Sequence, residues 1–278
     1  MIIKNRCGSF PDPDISENLT RKHVRNIAAL NENGIAEGFL VWMINKGKAG
    51  RDTEAELIGL SGTDDEVLRQ LLKEYGKRSA DDDVKRSWFE QNELSAAQKN
   101  SVRSANFSLL EREGCDIILS VSDLDSLKIG KKRIPNTIKS IERLQEIQFW
   151  QGITNCVFHG KKGIMPDLDC MSMDWYERRI SCAVMTDERI NGLFLIHKTP
   201  SGILKPVLFT AIGPDSSKDL LDMLRYSVAA AIKDYPPDTK IVIRRHDESV
   251  YSMTSFLLPD RKGETVWAGE RMEVTGDR

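Results

Sequence analysis

The chain has 278 residues, of which 40% are hydrophobic and 29% are charged. These proportions are typical of globular proteins and argue against a disordered chain, a collagen-like chain or a small disulfide-bonded protein. The formal net charge is −2, which argues against a protein whose main task is to coat the phosphates of duplex nucleic acid. At about 150 residues per domain, the length predicts about two domains.

Two further classes are excluded by pattern. No apolar run approaches the roughly 20 residues that a membrane-spanning helix needs, and the first residues contain too short an apolar stretch for a secretory signal. We therefore expect a cytoplasmic protein without a membrane partner. The five cysteines form no C-x-x-C pair and the four histidines form no H-E-x-x-H pattern, which argues against disulfides and a metalloenzyme and favours buried cysteines.

The first half predicts alternating helices and strands after a proline-containing loop. Apolar residues at approximate helical spacing predict a helix from Leu19 to Leu30, ended by Asn33-Gly34. Apolar or alternating runs predict four strands, at 38–44, 53–60, 84–91 and 115–121. Amphipathic periodicity predicts two more helices, at 64–76 and 96–113.

The second half predicts a similar series. It begins with a helix at 138–151 and an irregular stretch, followed by strands at 181–185 and 192–197 around a polar turn. A strand at 205–212 then ends at Gly213-Pro214, and a long helix begins at Asp215 or Ser216. The last predicted elements are a strand at 240–244, a short helix at 250–258 and a strand at 264–268. The long helix shows the clearest apolar face of the chain.

The order of elements is repeated between the halves, which predicts an internal duplication. Residues 38–62 and 192–213 each contain strand, turn, strand and glycine, and an acidic cap and an amphipathic helix follow each. The match is one of element order and not of identity, so chance resemblance is the alternative. The expected boundary is the basic connector 127–137, with domains at 1–126 and 138–278. The connector is interpreted as a solvated linker, and a nucleic-acid patch formed with Lys161-Lys162 is the alternative.

The second half resembles the GNAT (GCN5-related N-acetyltransferase) fold superfamily. The resemblance rests on the hairpin 181–197, the strand-turn-helix 204–231 and the strand-helix-strand 241–268. In the first half, 109–116 looks like the helix-glycine-strand ending common in that family. We therefore expect an α/β protein with two tandem GNAT-like domains, each on a mixed sheet, of which the C-terminal one is more complete.

The resemblance implies an acyl-CoA-dependent N-acyltransferase, with acetyl-CoA or another acyl-CoA as cosubstrate and a small-molecule or peptide amine as acceptor. Family members bind the coenzyme's pyrophosphate through backbone amides at the N-terminus of the helix after the fourth strand. The matching positions in this chain are Gly62 and Thr63 in the first half, and Ile212, Gly213, Asp215, Ser216 and Ser217 in the second.

Both turns depart from the family pattern. Each lacks the second glycine, and Pro214 removes one amide donor. Asp64, Asp65 and Asp215 place carboxylates where a pyrophosphate would lie, and simple helix capping explains these acids without any ligand.

The resemblance also implies a base and an acid. Glu54 and Glu56 lie two residues apart on a predicted strand and so project to one face; they are candidate bases acting through a water, and a solvent-facing strand edge is the alternative. Tyr251 is the candidate acid, and an aromatic that anchors its helix is the alternative. The matching position in the first half is Leu110, which cannot donate a proton. The rival function is a catalytically inactive GNAT-like binding or scaffold protein.

Overall fold

The computed structural model describes residues 2–5, 10–45, 52–127, 129, 133–159, 168, 171–245 and 248–272. The chain forms two compact units, residues 1–114 with 264–278, and residues 115–263. The predicted basic patches at Lys128, Lys131-Lys132 and Lys161-Lys162 lie outside the described residues. No α-helix in the described ranges is long and apolar enough to cross a membrane.

The first unit contains a mixed sheet that is built from the N-terminal part of the chain and completed by one strand from its C-terminal part. Its strands, in spatial order, are β1 (Ile2–Asn5), β2 (Val24–Leu30), β3 (Ala36–Asn45), β4 (Thr53–Gly62), β5 (Val84–Gln91) and β12 (Glu264–Met272). Its helices are α1 (Pro13–Ser16), α2 (Asp65–Asp81) and α3 (Ala96–Ser104). Strands β4 and β5 are parallel, and the other neighbours are antiparallel.

The second unit repeats this plan. Its strands, in spatial order, are β6 (Ser108–Ser120), β11 (Lys240–Arg244), β10 (Leu204–Ala211), β9 (Arg189–Lys198), β8 (Cys182–Thr186) and β7 (Ile138–Ser140). Only the part of β6 from Cys115 onward belongs to this unit. Its helices are α4 (Glu146–His159), α5 (Ser216–Asp234) and α6 (Glu248–Leu257). Strands β10 and β11 are parallel, and the other neighbours are antiparallel.

Helix α2 holds the core of the first unit because its apolar residues recur on one face. Leu68, Leu71 and Tyr75 are buried against strand residues that include Trp42, and each of the two leucines contributes about 1.5–3 kcal/mol on burial. In the second unit, the tight hairpin between β8 and β9 turns at Asp187 and Glu188, which both have positive φ. This backbone suits the twist of two hairpin strands, and the hairpin predicted there is confirmed.

Three predicted helices are wrong in whole or in part. Residues 24–30 form β2, because the apolar spacing that suggested a helix belongs to a strand buried on both faces, as Ile27, Ala28 and Ala29 show. The helix predicted at 96–113 ends at Ser104, where Asn106 adopts a left-handed backbone, so Leu110 lies in a strand. Residues 138–140 form β7, and the helix begins only at Glu146.

Strand pairing explains why the last residues of the chain belong to the first unit. Strand β12 pairs with β5 over six residues, from Trp267 opposite Gln91 to Met272 opposite Arg86. The first unit therefore includes residues 264–278, and the expected linker 127–137 falls within the second unit. The sequence prediction placed the final strand with the second half.

Candidate functional site

In each unit the two parallel strands separate before they end. The last pair between β4 and β5 is Glu56 opposite Trp88, although β4 continues to Gly62. Strands β10 and β11 pair at Leu204 and Ile241, although β10 continues to Ala211. Each separation leaves one edge of the longer strand without a strand partner, while its other edge stays paired.

A β-bulge lies near each separation. Ile58 is the extra residue of β4, because Gly59 faces Val41 and Leu57 faces Trp42. Val207 is the corresponding extra residue of β10. A bulge bends its strand and increases its twist, so the sequences of both units direct the strand away from its parallel neighbour. The two units thus share this local geometry as well as the order of elements from which the duplication was predicted.

The N-terminus of α2 is closed by its own cap. The Asp64 Oδ1 atom accepts hydrogen bonds from the amides of Glu66 and Val67, both at 2.9 Å. The Val67 bond is the largest cause that lowers the pKa of Asp64. The amide of Thr63 donates to the Glu37 carbonyl oxygen at 2.9 Å. Since these donors are engaged and acidic residues surround them, the turn at Gly62 and Thr63 does not fit a diphosphate.

The N-terminus of α5 is open. Asp215 occupies the cap position but forms no side-chain capping bond. The amide of Ser216 donates to the Gly213 carbonyl oxygen at 3.3 Å. Within the described part of the chain, the amides of Ser217 and Lys218 have no acceptor. These are the second and third positions of the helix, the same two that Asp64 caps in the first unit.

Gly213 gives this second turn its open approach. Its φ is +108°, a region that favours glycine, and a Cβ placed there would meet no atom within 4 Å. Ile212 contributes differently, because its amide donates to the Asn191 carbonyl oxygen at 2.7 Å and is already used. Asp219, in the first turn of α5, has its pKa raised by burial and then by Asp215. The two free amides fit a diphosphate. Because Asp215 and Asp219 make this turn acidic as well, its free donors, and not its charge, distinguish it from the turn at Gly62.

The candidate bases lie in the first unit. Ala55 and Leu57 are buried in the core below α2, so Glu54 and Glu56 project to the opposite face, as expected. The Glu54 carboxylate contacts the Arg86 guanidinium at 3.2 Å, which holds it as an ion pair. Glu56 lies where β4 and β5 begin to separate, opposite Trp88, whose indole Nε1 is buried without a partner among the described residues.

The second unit has no carboxylate at the equivalent strand position. Counted from the bulges, Lys205 of β10 occupies the place of Glu56 in β4. The structure therefore assigns the candidate bases to one unit and the open turn to the other. An alignment of β4 with β10 at their bulges pairs Glu56 with Lys205. The sequence alone does not provide this alignment, because the bulges carry no clear sequence signal.

The candidate acid, Tyr251, lies in α6 of the second unit. Its side chain is 54% exposed, and the Arg245 guanidinium lies 4.8 Å from the ring centroid. Arg245 is itself buried, and its Nε donates to Thr254 Oγ1 at 2.7 Å. This contact holds the ring at a partly exposed position.

The first unit differs at the matching helix. The comparison with Leu110 fails because that residue lies in β6. The residue at the fourth position of α3, as Tyr251 is in α6, is Lys99. Its neighbour Gln98 donates from Nε2 to the Leu60 carbonyl oxygen at 2.6 Å. The side chain of Gln98 therefore fills a backbone acceptor of β4 beyond its last pair with β5.

Cysteines and possible metal ligands are the remaining reactive groups of the described residues. No group of three or more His, Cys, Asp or Glu that could hold a metal ion occurs in the ranges described above. Cys115, Cys156 and Cys182 are buried thiols, which confirms the prediction of buried cysteines for these three. Burial raises the pKa of Cys156 and of Cys182 to about 12. Cys7 and Cys170 lie outside the described residues.

No protein-family model matches the sequence, and no curated protein matches it. Among solved structures, the chain is similar to a tandem GNAT protein from the clavulanic acid biosynthesis pathway, with a TM-score of 0.65, 9% identity and coverage of 98% of this chain and 91% of that one. A protein of unknown function from Enterococcus faecalis V583, described as a probable N-acyltransferase, matches with a TM-score of 0.57, 11% identity and coverage of 95% and 66%. This chain thus spans about two thirds of that protein.

A third similar structure is a GCN5-related N-acetyltransferase from Kribbella flavida, with a TM-score of 0.52, 10% identity and coverage of 87% of this chain and 89% of that one. At such low identities these likenesses show the fold alone. They confirm the mixed α/β architecture and its tandem character. Together with the bulged strand, the separated parallel pair and the following helix in each unit, they establish that this chain has the tandem GNAT fold.

Proposed function

We propose that the chain is an acyl-CoA-dependent N-acyltransferase that transfers an acetyl or other acyl group to a small-molecule or peptide amine, and that its second unit binds the coenzyme. The observation that carries this proposal is the pair of free amides, of Ser217 and Lys218, at the start of a 19-residue helix. Unpaired amides and the positive end of the helix dipole together favour a phosphate group.

The neighbouring residues support the same ligand. Gly213 lets a diphosphate approach the backbone, and the Lys218 side chain adds a positive charge in the first turn. Strand β10, unpaired with β11 beyond Leu204, offers backbone groups to an extended amide-containing arm. When bound, the acyl-CoA supplies a thioester carbonyl, and transfer forms the amide C–N bond while the C–S bond breaks.

The second unit has a candidate acid for proton transfer but no candidate carboxylate base among its described residues. Tyr251 lies in the same unit and is proposed to give its hydroxyl proton to the departing thiolate. Lys205 stands where a carboxylate base would be expected, so β10 offers no carboxylate at that position. The amine therefore loses its proton to water in the second unit, and Glu54 and Glu56 stay predictions for the first. The cytoplasmic location also stays a prediction.

The alternative is a catalytically inactive binding or scaffold protein of the same fold. Two observations favour it: the Asp64 cap closes one turn, and Lys205 replaces a base in the strand that leads to the other. This alternative predicts coenzyme binding without release of free thiol, or no binding at all.

Calorimetric titration of the full chain with acetyl-CoA tests the binding step. We expect saturable heat, and Gly213→Val should weaken binding by at least about tenfold, since a side chain there blocks backbone approach and strains a positive φ. Gly202→Val is the matched control, because Gly202 also has positive φ and open space around its Cβ position but lies in the loop before β10. Absence of heat with the wild-type chain would refute the proposal.

Turnover separates the enzyme from its alternative. Thiol release from acetyl-CoA in the presence of a panel of small and peptide amines should depend on the amine, and Tyr251→Phe should slow it without weakening coenzyme binding. Binding that is never followed by amine-dependent thiol release would favour the inactive protein.

A further inference from the structure

A cavity of about 710 Å³ lies in the first unit, away from the turn at the start of α2. Its walls come from the segment before β2, from β2 and β3, and from the last turn of α2. Because α2 has 17 residues and a helix rises about 1.5 Å per residue, the cavity is about 25 Å from the Asp64 cap. Its volume is in the range of small-molecule sites.

Trp42 lines this cavity and carries an unsatisfied donor. Its side chain is 1% exposed and packs edge-on against Tyr75, with ring centroids 5.3 Å apart. The indole Nε1 is buried, and no acceptor for it exists in the described part of the chain. A buried N–H without an acceptor is unfavourable, so this group favours a ligand that brings an acceptor atom.

Four charged side chains on the cavity wall lack ion-pair partners among the residues described. Lys22 and Arg25 stand on the side of β2, and Asp81 and Asp82 stand at the end of α2. Arg25 lies opposite Trp42 in the β2–β3 pairing, which places a cation next to the orphan indole. Two further cations of the wall are already held, Arg21 by Asn18 at 2.6 Å and Arg78 by Glu74 at 2.8 Å.

The unpaired cations lie beside β2 and the unpaired acids lie at the end of α2. This separation favours a ligand that carries both charges. An anionic group is favoured beside Lys22 and Arg25, where the Arg25 guanidinium suits a carboxylate. A cationic group is favoured beside Asp81 and Asp82, where the C-terminal carbonyls of α2 add partial negative charge. Leu19 and Val24 are apolar residues of the cavity lining.

We propose that this cavity binds a small zwitterion, a free amino acid with an apolar side chain. Its carboxylate contacts Lys22 and Arg25 and accepts the Trp42 N–H, and its ammonium group contacts Asp81 and Asp82. The site is distinct from the turn at Gly213 and does not depend on the coenzyme.

Calorimetric titration of the full chain with L-leucine and L-tryptophan, up to about 10 mM, tests the proposal. At least one of them should saturate. Against L-leucine, the single-charge analogues 4-methylpentanoate and 3-methylbutylamine should bind at least about tenfold more weakly, since each loses one set of charge-assisted contacts. The proposal is overturned by an absence of saturable binding with both amino acids, or by a single-charge analogue that binds as well as L-leucine.

Variants locate the site. Arg25→Gln and Asp81→Asn change exposed residues and should each weaken amino-acid binding by at least about tenfold; Arg103→Gln, an exposed arginine of α3 outside the cavity, should not. In NMR spectra, Trp42→Phe identifies the indole N–H signal, which should shift when the amino acid binds. A signal that does not move would mean that the indole meets water only. That result, or unchanged binding in both charge variants, would overturn the proposal.

Discussion

The ion pair between Asp222 and Arg225 in α5 provides a quantitative test of the second unit. Arg225 Nη1 lies 2.6 Å from Asp222 Oδ1, and the two side chains are 9% and 7% exposed. Arg225 Nε also donates to the Ile129 carbonyl oxygen at 2.8 Å. Replacement of Arg225 by methionine keeps most of the volume but leaves the carboxylate buried without its cation. Removal of one partner from a buried pair costs about 3–5 kcal/mol.

The assay is urea unfolding of Arg225→Met, followed by far-UV circular dichroism and tryptophan fluorescence. We expect the free energy of unfolding to fall by about 3–5 kcal/mol, and most of the loss to be recovered in Asp222→Leu/Arg225→Met, which buries no charge. Lys77→Met is the control, because the Lys77 side chain is exposed on α2 and Glu74 keeps its second partner, Arg78; such a pair contributes about 0–1 kcal/mol. A loss below about 1 kcal/mol in Arg225→Met would refute the reasoning.

Three more predictions follow from local geometry. Gly38→Ala should destabilise the first unit by about 1–3 kcal/mol in urea unfolding, because its Cβ would lie 2.8 Å from the Ser61 carbonyl oxygen; unchanged stability would contradict that contact. In the native protein at pH 8, Cys156 and Cys182 should not react with a thiol reagent until urea exposes them, since burial raises the pKa of both. The backbone amide of Ser120 donates to Asp123 and holds its pKa below the usual range of a carboxyl. The stability advantage of wild type over Asp123→Asn should therefore be full near pH 7 and vanish as the pH falls through that lowered pKa; an advantage that persists in acid would contradict the assignment.

Local signals in the sequence were sufficient for most elements. Residues 84–91 and 240–244 form the predicted strands without any change of boundary, because short apolar or alternating runs bounded by turn residues leave few alternatives. The failure at Val24–Leu30 has a physical reason. A strand buried on both faces has apolar residues at every spacing, including the spacing of a helix, so periodicity does not separate the two structures.

The arrangement of the units and the site were less accessible. The pairing of Trp267 with Gln91 joins residues far apart in the chain, and no local pattern encodes it. The sequence placed acids at the start of both helices, but only the structure shows that Asp64 caps its helix and Asp215 does not. The difference depends on the backbone at the cap residue, which is extended at Asp64 and not at Asp215, and composition does not report it.

Backbone amide chemical shifts during a titration with coenzyme A test the central claim most directly. If the second unit binds the diphosphate, the amide signals of Ser217 and Lys218 should shift and saturate, while those of Glu66 and Val67, which already donate to Asp64, should stay unchanged. A response confined to Glu66 and Val67, or an absence of any response at Ser217 and Lys218, would contradict the account.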